Sequence, residues 1–382
     1  MKIIKYFSVV TALATALGPV VNVQAGPGQS RLAGDLWEMQ REGREKAARL
    51  QREEYDKAAR LQAANEALLM AAESGNLTDA IEAVGAGANV NVAGQSGQTP
   101  LLIASHQGHI DIARWLLGAN AEVDKATQNA ATPLFMASQE GHTEIVKILL
   151  NAKAEIDTAD CEGATPLFMA SQNGHTEIVK ILLGAQAEVE KANHKGWTPL
   201  LQASGQGHID IVNILLGAKA EIDKADRQGV TPLLLASHQG HTEIATMLLG
   251  AKAEVDKANQ RGATPLLLAS QEGHAETAKI LVFNGAISSG RESIAMKAII
   301  DQVQEARRTV ANQDWLLEDV PLSEFLPKVL EDLVGGYIDP LAGVHDEQLR
   351  RLMREQVVKN RTDRQAQESA AAAQLLEKAR RK

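Results

Sequence analysis

The dipeptide Thr-Pro falls at 99–100, 132–133, 165–166, 198–199, 231–232 and 264–265, a spacing of 33 residues each time. Residues 130–150 (AATPLFMASQEGHTEIVKILL) and 163–183 (GATPLFMASQNGHTEIVKILL) agree at 19 of 21 positions. A fixed period of this length means that one supersecondary unit is stacked on copies of itself, because such a unit is too small to bury a core alone. Any globular fold without internal repetition is excluded over this stretch.

Within each unit a glycine stands two residues before the Thr-Pro at Gly97, Gly163, Gly196, Gly229 and Gly262. Thr is a good helix N-cap and Pro is tolerated at the first helical position, so Thr-Pro starts a helix. A Gly-His turn follows, then a second helix. In GHTEIVKILL, Ile145, Ile148 and Leu149 lie at i, i+3 and i+4 and predict a buried stripe that Val146 and Leu150 widen. Trp115, in the place of Ile148, is read as core.

The pattern G-x-TPL-x-x-A-x-x-x-GH-x-(E/D)-I resembles the ankyrin repeat, in six successive copies. A degenerate seventh, EALLMAAESGNLTDAIEAVGAGANVNVA at 66–93, precedes them, keeping Ala71 and Gly75 in register without the Thr-Pro. The resemblance implies an all-α solenoid of helix pairs with protruding hairpin-like loops, and a concave face that binds other proteins. Two departures stand out. Leu102, Phe135, Phe168, Leu201, Leu234 and Leu267 occupy the position where the family usually has His. Asn120, Lys153, Gln186, Lys219 and Lys252 replace the glycine that closes the second helix, kept only at Gly87 and Gly285. Either these residues take a strained positive φ, or the helices end early at Gly118, Gly184, Gly217 and Gly250.

The residues that look chemical are those that recur. His109, His142, His175, His208, His241 and His274 repeat every 33 residues, so they cannot converge on one ion as metal ligands must, and they are read as turn-stabilising. His142-Thr143-Glu144 lacks the cysteine pair of zinc deaminases, since Cys161 is the one cysteine. The serines at 105, 138, 171, 204, 237 and 270 have no strand–G-x-S-x-G–helix context. No enzyme, cofactor or metal is expected from this pattern.

If constant positions build the scaffold, partner choice falls to the variable ones. The loop tips of the fourth to sixth Thr-Pro repeats bring together His194, Lys195, Trp197, Arg227, Gln228 and Arg261, a cluster with an aromatic and positive charge. These are the candidate partner-binding residues, with Trp197 as anchor; the opposing reading packs Trp197 against its own hairpin. Further variable pairs follow each Ala-Ser, among them His106/Gln107 and Gln139/Glu140. Gln202 stands in an apolar slot and must find a hydrogen-bond partner or loosen its repeat.

Charge sharpens the partner class. Residues 66–290 hold 14 Lys and Arg against 25 Asp and Glu, a balance of −11, which disfavours nucleic acid. Residues 291–382 hold 15 against 16, with acidic side chains interleaved in a basic end, and no nucleic-acid role is expected there either.

At the N-terminus, Lys2 and Lys5, an apolar run from Tyr6 to Leu17, Pro19 and the small-residue site Val23-Gln24-Ala25 form the layout of a secretory signal peptide cut after Ala25. An uncleaved anchor is the alternative, disfavoured because Pro19 interrupts the run. The expected organisation is a signal peptide over 1–25, a charged helical leader over 26–65, the repeats over 66–290 and a helical C-terminal region over 291–382. In the leader, KAARLQ recurs at 46–51 and 57–62, a spacing compatible with a coiled coil, although a single helix is the simpler reading. VPLSEFLPKVLEDLVGGYIDP at 320–340 resembles the start of an F-box through Leu326, Pro327, Val329, Leu330 and Leu333. That resemblance implies a host-directed adaptor recruiting a ubiquitin ligase. A helical cap on the stack is the plainer alternative, and an enzyme built from 291–382 has no motif behind it. The main expectation is an exported, secreted or periplasmic, non-catalytic scaffold that binds a protein and keeps no stable membrane insertion after signal cleavage.

Overall fold

The computed structural model describes residues 30–290 and, beyond them, 296, 297, 299–301, 303 and 304. The signal-like segment, the F-box-like stretch and the basic end of the chain lie outside the described residues. Two units divide at Ala64/Asn65.

The leader is one helix, α1 (Ser30–Ser74), whose last turns also serve as the first helix of the degenerate repeat. Ala64, Leu68, Ala71 and Ala72 are its buried side. Helix α2 (Leu77–Gly85) follows, capped by Asn76, whose Oδ1 accepts from the backbone N–H groups of Thr78 and Asp79.

Six helix pairs then repeat. The inner helices are α3 (Pro100–Gln107), α5 (Pro133–Glu140), α7 (Pro166–Asn173), α9 (Pro199–Gln206), α11 (Pro232–Gln239) and α13 (Pro265–Gln271). The outer helices are α4 (Ile110–Gly118), α6 (Thr143–Asn151), α8 (Thr176–Gly184), α10 (Ile209–Gly217), α12 (Thr242–Gly250) and α14 (Ala275–Phe283). There is no strand among the described residues. Every inner helix starts as its Thr-Pro predicts: in α7 the Thr165 Oγ1 accepts from the Phe168 N–H at 3.2 Å, with Pro166 at the first helical position. From α3 to α13 each inner helix packs on the next inner helix and on its own outer helix. The core is this shared seam, so no unit owns a core of its own.

Two details of the predicted core change. Ile145, Val146 and Leu149 are fully buried, while Ile148 and Leu150 are only partly so, because they sit at the margin of the stripe. Trp115 is likewise partly buried and belongs to that margin. Past the repeats, Met296, Ile300 and Val303 are buried at spacings of four and three, one face of a helical segment.

At the ends of the outer helices, strain and early termination occur together. Helices α4, α8, α10 and α12 close on Gly118, Gly184, Gly217 and Gly250, and two residues later Asn120, Gln186, Lys219 and Lys252 take φ between 62° and 74°. The helical glycines do not relieve the strain, because the left-handed residue is not the one they occupy.

Candidate protein-binding surface

The surface is built from bonds that run between repeats, and the recurring histidines are the first set. Each donates its Nε2–H to a backbone carbonyl 36 residues upstream: His142 to His106 at 2.9 Å, His208 to Gln172 at 2.9 Å, His274 to His238 at 3.1 Å. The acceptor lies in the last turn of the preceding inner helix, where carbonyls lack intrahelical partners. The imidazole therefore stabilises a turn, as read from the sequence, but the turn of the preceding repeat, which makes it a strut between repeats. The glycine that ends that preceding inner helix is explained by the same contact: a Cβ on Gly174, at φ +81°, would stand 2.8 Å from the ring of His208. The degenerate repeat has no array repeat before it, and Asn76 stands at its histidine position as a local cap.

A second set of bonds joins the loops that enter the hairpins. Oxygens of Asn91, Asp124, Asp157, Glu190, Asp223 and Asp256 accept the backbone N–H 31 residues on, at 2.8 to 3.2 Å. Burial pushes the carboxyls of Asp124 and Asp157 above the ordinary carboxylate range, partly opposed by the backbone N–H each accepts, while the neighbouring Glu155 and Glu188 push the same way as burial. Glu190 also pairs with Lys224 at 3.1 Å.

The hairpin tips form the third set. In the tip at 160–164, Asp160 Oδ1 accepts from the Glu162 and Ala164 N–H groups, and Gly163 closes the turn at φ +82°. Asn193, Asp226 and Asn259 do the same in the next three tips. Ala130 fills the glycine position of its tip at φ +61°. Adjacent tips join by one backbone bond each: His194 N–H to Glu162 at 2.8 Å, Arg227 to Lys195 at 3.2 Å, Gln260 to Gln228 at 3.0 Å.

The predicted cluster is brought together on this ladder, in three consecutive tips. His194, Lys195, Arg227, Gln228 and Arg261 are exposed. Gln228 and Arg261 line a shallow depression with Asn259 and Gln260. Lys195, Arg227 and Arg261 make no ion pair among the described residues, whereas Lys125, Lys147, Lys180, Lys191, Lys224, Lys257 and Lys279 each pair with a glutamate. Trp197 differs from its neighbours. It is half-buried, packs against the cluster of Ala131, Phe135, Ala164 and Phe168 beside Met136 and Met169, and donates Nε1–H to Asp226 at 3.0 Å. It leans on the preceding repeat and holds the next one, rather than folding on its own hairpin.

The inner helices add a line of half-buried apolar side chains, Ile103, Met136, Met169, Leu235 and Leu268. Gln202 interrupts it, 5 % exposed, with its Oε1 left without a hydrogen-bond partner. Gly205 lies in the same inner helix, where the next repeat leaves no room for a side chain: a Cβ there would meet Leu235 at 2.5 Å. Among the described residues no group of His, Cys, Asp and Glu gathers as a metal site, and no helix is long and apolar enough to cross a membrane. Some of the variable residues serve the stack itself, as in His106 Nε2, 3.8 Å from Glu140.

Paired helices stacked on one seam, with loop tips hydrogen-bonded into a ladder, define a repeat protein whose exposed variable side chains lie along one edge. The comparisons place it further. A model of ankyrin repeats (3 copies) matches residues 68–160, 152–226 and 218–291, and the chain belongs to the ankyrin-repeat family. Among curated proteins no match is found. Ankyrin repeats are typically non-catalytic modules that bind other proteins, and they make this chain a protein–protein interaction scaffold.

Proposed function

We propose that this chain is an exported ankyrin scaffold that holds an acidic segment of a protein partner against the tips of its fourth to sixth Thr-Pro repeats. The observation that carries the reading is the row Lys195, Arg227 and Arg261: three exposed cations in consecutive tips, without ion pairs among the described residues, on an array whose net charge is −11 with these three included (14 Lys and Arg against 25 Asp and Glu). Unpaired charges of one sign steer an oppositely charged partner and set its register. Trp197, half-buried against the preceding repeats, belongs to the same tip as Lys195, and His194 and Gln228 are exposed in the tips of Lys195 and Arg227. Its half-buried packing makes Trp197→Ala a poor test, because lost folding and lost binding coincide.

The reading is tested by affinity capture from the fluid or cell fraction the chain meets after export. The parent is compared with Lys195→Glu/Arg227→Glu/Arg261→Glu and with Gln95→Ala at the distant tip, all checked for equal melting. Proteins captured by the parent and by Gln95→Ala should be lost from the triple variant. An unchanged set on the triple variant rejects the tip row. Export itself is proposed from the Lys2/Lys5, apolar run and Ala25 layout. N-terminal sequencing of the exported chain should begin at Gly26, and an intact Met1 in the membrane fraction sinks that step.

A further inference from the structure

Helix α1 carries a long stretch with no support of its own. From Trp37 to Ala63 every described side chain is exposed. A solitary helix is marginal in water, because most helical stability in proteins comes from packing an apolar face. The sequence has such a face. Met39, Ala47, Leu50, Ala58 and Leu61 fall within an arc of about 100°. Met39, Leu50 and Leu61 recur every 11 residues, the period that holds a stripe in line along a nearly straight helix. They are 62 %, 53 % and 45 % exposed, and the same stripe is buried further on, at Leu68 and Ala72.

The charges beside the stripe say what covers it. Glu42, Lys46, Glu53 and Lys57 form a row along one edge. When two copies of the helix run antiparallel with Ala47 of each facing Leu50 of the other, Met39 faces Ala58 and Gly43 faces Glu54. The edge then sets Glu42 against Lys57 of the second copy and Lys46 against Glu53 of the second copy, and the reciprocal contacts make four opposite-charge pairs. A parallel pair brings the row against Ala47, Gln51, Ala58 and Gln62 instead, with no charge pairing. We propose that the leader helix is a homodimerisation element and that two chains join antiparallel through the Met39–Leu61 stripe.

The test uses the full chain and sedimentation velocity from about 1 to 200 µM, where an interface this small is expected to associate. One variant makes the row wholly acidic (Lys46→Glu/Lys57→Glu) and another wholly basic (Glu42→Lys/Glu53→Lys). Each alone should dimerise at least tenfold more weakly than the parent, and an equimolar mixture of the two should dimerise like the parent, with far-UV circular dichroism confirming a folded array in each. A monomeric parent over this range overturns the proposal. So does association indifferent to the row, as a contact through the apolar N-terminal run or the array gives, and so does weakening of both variants that mixing fails to restore.

Discussion

At Lys219 the backbone sits at φ +65°, a conformation that costs a residue with a Cβ on the order of 1 kcal/mol. Two residues earlier Gly217 closes α10 with open space where a Cβ would be, which costs a helix about 0.5–1 kcal/mol relative to alanine. Gly217→Ala/Lys219→Gly should therefore stabilise the array by about 1–2 kcal/mol, read as a higher denaturant midpoint at constant slope; a lower midpoint would mean that the Lys219 side chain holds the turn. Gln202 is a second such site. Replacing it by Leu, the residue at 235 and 268, removes a buried oxygen without a partner and should add about 1–2 kcal/mol. A loss on Gln202→Leu would show that the amide is satisfied. The charge at Asp157 has the opposite character to an ordinary surface carboxylate. Burial raises its pKa, so between the ordinary range and the raised value the folded chain holds more protons than the unfolded one. Its ionisation therefore costs stability as pH rises through that window, and the cost is absent below it. Asp157→Asn keeps the acceptor, as Asn91 does in the degenerate repeat, and should stabilise near pH 7 but not near pH 3 when denaturation midpoints are compared with the parent. A gain of equal size at both pH values would assign the effect to something other than charge.

Elements join through the Gly-His turns. Gly174 is confined twice, by φ +81° and by the imidazole of His208, whose Nε2 satisfies the Gln172 carbonyl. His208→Ala should cost about 2 kcal/mol for the lost bond and the space left behind. Gly174→Ala should cost at least as much, and less in the His208→Ala background, since the ring is then absent; a double-mutant cycle of thermal or denaturant midpoints measures that coupling. Strict additivity would mean that the ring and the glycine do not meet. This level of the fold was half legible in the sequence. Thr165 and Pro166 announce a helix start through local chemistry, and Gly163 announces a positive φ, so caps and tips could be read from single positions. The reach of His208 and Asp157 could not, because their partners are backbone groups 36 residues upstream and 31 residues downstream that carry no residue-specific mark. Asp157 in Glu-Ile-Asp-Thr reads as surface charge. Trp197 is legible as the aromatic of the tip cluster, yet its half-burial depends on Phe168 and Ala164 in the preceding repeat, a contact that only stacking creates.

Over the whole array, nearest-neighbour bonding makes stability a property of position in the stack. His208→Ala, with repeats on both sides, should lower protection from hydrogen exchange throughout 133–250, whereas His109→Ala should release mainly 66–93 and leave the later helices protected. Equal protection profiles for the two variants would contradict a chain of neighbour contacts. The ladder has one more property, which concerns length. The recurring cross-repeat bonds, those of the histidines, the loop carboxylates and the tip backbone, are defined by their offset from the next copy, and not by the identity of a particular copy. Excising residues 132–164 would bring His175 to the carbonyl of His106 and Glu188 to the carboxylate of Asp124, the partners that His142 and Glu155 of the excised repeat use, in place of their own Gln139 and Asp157. Segments as alike as 130–150 and 163–183, which agree at 19 of 21 positions, are also where genes gain and lose whole units by misaligned recombination. The array is thus built so that its number of repeats can change in a single genetic event, with every joint closing again and the span between its two ends reset in steps of one repeat.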